Sequence, residues 1–141
     1  MKSWPGASIA GLLLIFAVNI GFARSEFADD PHLGITEYEI ACMPCHGVNG
    51  RGDGRLAKSL SKPPADLTQI AKSHGGKFPM KEVEEMIDGR AIVAAHADRD
   101  MPVWGDRYRA PVQGQSCAWV EQQVRAQIRA LANYLKSLQE K

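Results

Sequence analysis

Cys42-Met43-Pro44-Cys45-His46 is the stretch on which the reading of this chain turns. Two thiols stand two residues apart and an imidazole follows at once. This is the C-x-x-C-H spacing of covalent haem attachment. The chemistry explains the spacing. Two thiols add across the two vinyl groups of one macrocycle, so both must come from one short turn. The next residue then carries its imidazole to the iron. Three other readings compete for the same residues. Zinc wants four ligands, commonly two such pairs, and one further Cys with scattered His32, His74 and His96 does not supply them. A redox-active C-x-x-C expects alternating strands and helices. A plain disulfide is open to any exported chain. The motif points first to one haem c, joined to Cys42 and Cys45, with His46 as one axial ligand of the iron.

Outward from the motif the pattern is helical. Thr36 with Glu39 fits a capping box and predicts a first helix from about Thr36. Tyr38, Ala41, Cys42 and Cys45 follow at helical spacing on one face. Gly47, Gly50, Gly52 and Gly54 then break regular structure, and Pro63-Pro64 imposes an extended path. A short helix is predicted over residues 65–73 with Asp66 as cap. Another is predicted over residues 80–88, with Val83, Met86 and Ile87 as its apolar stripe and Gly89 as its stop. Residues 90–115 read as irregular. Val124, Ile128, Leu131, Leu135 and Leu138 recur at spacings of four and three, which predicts one long amphipathic helix from Ala118 to Leu138. That helix needs an apolar surface, and the first helix is the obvious one. No strand pattern and no internal repeat interrupt this all-α reading.

A second axial ligand must come from elsewhere. Met101-Pro102 lies in the loop before the last helix, and a loop Met has the reach to close over the opposite face of the iron. A thioether is a soft ligand that raises the reduction potential, which suits an electron carrier. Met80, at the end of Phe78-Pro79-Met80, is the rival thioether. His96 is the rival imidazole and would lower the potential. Met43 lies inside the attachment turn, and Met86 falls on an apolar stripe as core.

The N-terminus has the three-part layout of a secretory signal. Lys2 supplies the positive start, Ile9 to Val18 the apolar run, and Gly21-Phe22-Ala23 a small-residue cleavage site after Ala23. The competing reading is a retained anchor, since Ala7 to Ala23 spans about 17 apolar residues, the lower limit for a spanning helix. The expected organisation is therefore a signal peptide over 1–23, a polar lead-in over 24–33 and one mono-haem domain over 34–141, working in the periplasm. Charged residues make up 23% and apolar residues 45%, with a formal net charge of +1. That balance offers no reason to expect nucleic acid or an anionic surface as partner, and a membrane only if the N-terminal segment is retained.

At this point the chain resembles class I cytochrome c in its bacterial mono-haem branch. The resemblance runs from Thr36 to Leu138. It rests on Tyr38 ahead of Cys42-Met43-Pro44-Cys45-His46-Gly47, on Gly50-Arg51-Gly52-Asp53-Gly54, on Pro63-Pro64-Ala65-Asp66-Leu67-Thr68 and on Met101-Pro102-Val103-Trp104-Gly105. It implies three to five helices around one haem, with the N- and C-terminal helices crossing. It also implies single-electron transfer to redox proteins by transient contact, with Cys42, Cys45, His46 and Met101 at the iron site. A haem subunit of a periplasmic dehydrogenase or oxidase complex is the alternative role. The resemblance further implies that a proline-loop carbonyl, from Pro63 or Pro64, accepts the hydrogen bond of the proximal imidazole. Two features depart from the simplest pattern. Asp106 to Ser116 is long, and its Arg107-Tyr108-Arg109 reads as a solvated loop or, alternatively, a propionate clamp or partner contact. Cys117 is a third cysteine, expected buried and inert, with an intermolecular disulfide or reactivity at a helix N-terminus as alternatives.

Overall fold

Asp30 opens the first helix. Its carboxylate accepts a hydrogen bond from the His32 N–H at 2.9 Å, and Pro31, which has no N–H to satisfy, takes the first helical position. Helix α1 therefore runs Pro31–Ala41, well ahead of the capping box expected at Thr36. Thr36 and Glu39 lie mid-helix and exposed. Residues 31–33, expected to belong to a polar lead-in over 24–33, are part of α1. The computed structural model describes residues 30–89, 101–110 and 114–140. Residues 1–23, with the expected signal, and His96 lie outside that set.

Five further helices follow among the described residues: α2 (Met43–His46), α3 (Ile70–Ser73), α4 (Met80–Asp88), α5 (Trp104–Arg109) and α6 (Cys117–Ser137). Two of them, α2 and α3, are single turns, so α1, α4, α5 and α6 carry the architecture. Asp66 caps as expected, accepting from the Thr68 N–H at 2.9 Å and the Thr68 hydroxyl at 2.6 Å. It opens a 3-10 turn over Leu67–Gln69 that runs into α3. Helix α4 matches the predicted 80–88 and stops at Gly89, whose φ of 84° is left-handed. Its Val83 and Ile87 are buried. Helix α5 lies in the stretch expected to be irregular. Its six residues are too few for periodicity to register, and Pro102 and Gly105 read as breakers. Trp104 and Tyr108, one turn apart, form its inner face with ring centroids 6.4 Å apart.

The core lies where α6 crosses α1, the most extensive helix contact among the described residues. Val124, Ile128, Leu131 and Leu135 are buried as predicted, and Ala126, Ala130 and Ala132 widen the buried face. Each large aliphatic side chain so buried contributes about 1.5–3 kcal/mol. The alanines let the helices approach closely. At the crossing, Gly34 lies against the Ala130 backbone, and a Cβ on Gly34 would collide with the Ala130 carbonyl oxygen. Tyr38 fills the centre of the crossing at 1% exposure, its ring 5.1 Å from that of Tyr134.

Arg109 joins three helices. Its guanidinium meets Asp88 at the end of α4 at 2.7 Å and Glu121 near the start of α6 at 2.6 Å, with Asp106 at 3.8 Å. Asp88 is buried, so the pair is held largely away from water. This corrects the reading of Arg107-Tyr108-Arg109 as a solvated loop. Arg109 turns inward onto carboxylates, Tyr108 is half-buried, and Arg107 stacks over the Trp104 ring at 5.0 Å. A guanidinium already committed to carboxylates is not a propionate clamp.

Gly34→Ala is expected to cost about 1–3 kcal/mol, because α1 must withdraw from α6 to admit the methyl group. Urea unfolding of the haem-loaded protein measures it, and an unchanged midpoint would show that the crossing tolerates the shift. Arg109→Met is expected to cost about 3 kcal/mol, the low end for breaking a buried pair, since the guanidinium retains some exposure. The same unfolding experiment reads it, and Arg109→Lys is expected to recover only part of the loss because one ammonium cannot engage both Asp88 and Glu121 as a fork does.

Candidate functional site

Pro44 separates the attachment turn from α1. It has no N–H to donate to the Ile40 carbonyl, so the helical ladder is interrupted there. Cys42, at φ −110°, is the joint between the helices. The ladder resumes within the motif: His46 N–H donates to the Cys42 carbonyl at 2.8 Å and Gly47 N–H to the Met43 carbonyl at 2.9 Å. Both thiols and the imidazole thus come from one turn and its joint. Cys42, Ala41 and Tyr38 face the core, whereas Cys45 and His46 are half-buried.

A four-residue helix leaves its last carbonyls without partners of its own. The following loop supplies them. Leu56 N–H donates to the Pro44 carbonyl at 2.8 Å, Gly54 N–H to Cys45 at 3.0 Å and Gly52 N–H to His46 at 2.8 Å. The glycine-rich segment is therefore a backbone cap laid over α2. Gly54 is required by close approach, since a Cβ there would strike the Pro44 and Cys45 carbonyls, each 2.5 Å away. Tyr38 closes the other end of the cap: its hydroxyl donates to the Gly47 carbonyl at 2.6 Å. Burial, then the neighbouring Cys42, Tyr134 and Asp53, push the Tyr38 phenol up to about 12, so it remains a donor.

His46 is fixed from the far side. Its Nδ1 lies 3.0 Å from the Ala65 carbonyl oxygen. A carbonyl can only accept, so Nδ1 carries the proton and the lone pair is on Nε2, the nitrogen a metal would take. Burial lowers the His46 pKa and the Ala65 hydrogen bond opposes that in part, which keeps the imidazole neutral at pH 7. The acceptor expected at Pro63 or Pro64 is thus Ala65. Pro64 turns its own carbonyl towards Gly52, where a Cβ would meet it. A backbone acceptor carries no side-chain signature, and nothing in Pro63-Pro64-Ala65 says which of the three carbonyls points inward.

Cys42 and Cys45 are both free thiols, and the disulfide alternative is not formed. Burial, reinforced by Glu37 and Cys45, pushes the Cys42 thiol up to about 12. Among the described residues no three His, Cys, Asp or Glu side chains converge to hold a bare metal ion, so the zinc alternative has no site. Nor is there a strand among them, as a thioredoxin-like motif would need. Two reduced thiols on one turn, with a neutral imidazole whose Nε2 lone pair is available, fit a covalently attached haem. Met101 is half-buried, just ahead of α5, and Met80 packs against the core as the first residue of α4. Cys117 is exposed at the first position of α6 under the Ser116 cap, contrary to the expected burial. No helix among the described residues is long and apolar enough to cross a membrane.

Neither the curated proteins nor the solved structures offer a match to the chain. The family model for Cytochrome c matches residues 33–139, from within α1 to just past the end of α6. That span covers the crossing of α1 and α6, the attachment turn and the Ala65 acceptor. The chain therefore belongs to the cytochrome c family, the electron-transfer proteins that hold haem c covalently.

Proposed function

We propose that this protein is a periplasmic single-electron carrier in which Cys42 and Cys45 hold the haem as thioethers, His46 Nε2 is one axial ligand and the Met101 thioether is the other. The observation that carries this reading is the His46–Ala65 hydrogen bond at 3.0 Å, which selects the tautomer with Nε2 free to ligate. When bound, haem c supplies a one-electron ferric/ferrous couple. The chain's own residues set its conditions. The Ala65 carbonyl orients the imidazole and makes it a stronger donor. The cap over α2 keeps the motif's carbonyls satisfied, so the turn need not rearrange between oxidation states. Two strong ligands would leave the iron no open position for a substrate, which favours a carrier over an enzyme.

Two further observations support the assignment. The Met101 segment is tethered on its C-terminal side, where Val103 packs on Gly89 and Arg109 binds Asp88 and Glu121. Met80 is engaged in core packing at the start of α4. For partner contact, exposed apolar side chains flank the attachment turn: Ile40 at 69%, Val48 at 70% and Leu56 at 42% exposure. The Leu56 N–H donates to the Pro44 carbonyl, which places Leu56 beside the attachment turn. Small apolar contacts of this kind suit brief encounters between redox proteins. Export rests on the Lys2, Ile9 to Val18 and Gly21-Phe22-Ala23 layout.

The haem-loaded protein is expected to retain its haem through denaturing electrophoresis and acid acetone. Unfolded, it should present a single titratable thiol, Cys117, where the haem-free chain presents three. Loss of haem to acid acetone would overturn the thioether assignment. Met101→Ala is expected to abolish the weak far-red band of a thioether–ferric haem pair and to admit carbon monoxide to the ferrous protein. Survival of the band would transfer the ligand role to Met80. Secreted protein is expected to begin at Arg24, read by N-terminal sequencing of a periplasmic fraction. Recovery of the intact N-terminus in membranes would support the anchor instead.

A further inference from the structure

Gln139, just past the end of α6, makes more hydrogen bonds to the 65–71 loop than its place at a helix end requires. Its Oε1 accepts from the Ala71 N–H at 2.7 Å, and its Nε2 donates to the Leu67 carbonyl at 2.8 Å and to the Leu135 carbonyl at 2.8 Å. One amide thus ties the last turn of α6 to the start of the short helical segment that follows Ala65, at Leu67, and to Ala71 within α3. Glu140 extends the same seam. Its N–H donates to the Thr68 carbonyl at 3.0 Å, and its carboxylate accepts from Gln69 at 2.6 Å and Arg51 at 2.8 Å.

The two residues are not equivalent. The Arg51–Glu140 pair is exposed, 59% and 44% by side chain, and such pairs contribute little. The Gln139 bonds are half-buried and reach backbone groups, so they fix the path of the chain. Upstream of Ala65 the loop is an exposed stretch through Lys62 and Pro63. From Ala65 to the clamp there is only Asp66, itself locked onto Thr68. On its other side the loop is held by one backbone bond, Leu67 N–H to the Gly50 carbonyl at 2.7 Å. The position of the Ala65 carbonyl, and so the length of its bond to His46, is set by that bond, by the Glu140 N–H on the Thr68 carbonyl and, through a side chain, by Gln139.

We propose that Gln139 is a positioning residue for the proximal imidazole: by clamping the 65–71 loop onto α6 it sets the His46–Ala65 hydrogen bond and, through it, the reduction potential. This rests on the reading of His46 as axial ligand. The sign follows from the chemistry. A well-aligned acceptor at Nδ1 draws its proton away, gives the ring imidazolate character and favours the ferric state. A loosened loop weakens that bond and favours the ferrous state, so the potential rises.

The experiment uses the haem-loaded Gln139→Leu variant, with Glu140→Gln alongside. Redox titration and hydrogen exchange of the His46 Nδ1–H, followed by NMR in the ferrous protein, are the readouts. Gln139→Leu is expected to shift the ferric/ferrous equilibrium about threefold towards ferrous and to speed Nδ1–H exchange about tenfold. Glu140→Gln is expected to change neither appreciably. Should Gln139→Leu fail to accumulate, Gln139→Ala gives the same two readings with less steric demand. Native potential and native exchange in a folded Gln139 variant would overturn the proposal, as would a loss of stability unaccompanied by either change. His46→Gln separates the underlying reading: if it preserves the native haem spectrum, the axial assignment is wrong, whatever the Gln139 variants show.

Discussion

The hydrogen bond between His46 Nδ1 and the Ala65 carbonyl is the constraint around which the rest of the molecule is arranged. It determines which imidazole nitrogen keeps its lone pair and in which plane the ring lies. For that bond to be defined, two remote segments must be held to a fraction of an ångström. One is the turn that carries His46, and the other is the loop that carries Ala65.

The structure secures the first segment by satisfying its backbone. Pro44 isolates α2 from α1, and an isolated single turn would ordinarily fray, because it forms few bonds for the residues it orders. The loop over residues 52–56 returns a donor to each of the Pro44, Cys45 and His46 carbonyls. Tyr38 fastens the glycine-rich segment at its start, Gly47, from within the core. The second segment is secured from α6, through Gln139 and Glu140. Helix α6 also packs on α1, so one long helix references both halves of the site. Close approach at Gly34 and the buried alanines makes that reference rigid.

Electrostatics divide along the same lines. Buried groups remain neutral: the Tyr38 and Tyr108 phenols and the Cys42 thiol are all pushed upward chiefly by burial, and His46 is pushed downward. Charge enters the interior as the Asp88–Arg109–Glu121 cluster, distant in sequence from the attachment turn and joining α4, α5 and α6. That cluster orders the segment following Met101, which periodicity alone reads as loop.

The amino-acid sequence by itself determined the cofactor motif, the all-α class, the α4 and α6 helices and the Asp66 cap. These depend on contacts a few residues apart or on the chemistry of adjacent side chains. Tertiary structure decided what depends on partners distant along the chain. It formed α5, whose charges find their partners on α4 and α6. It exposed Cys117 at the head of α6. It also chose Ala65 over Pro63 and Pro64 at the imidazole, because every residue carries the same carbonyl and only the folded path of the loop decides which one points inward.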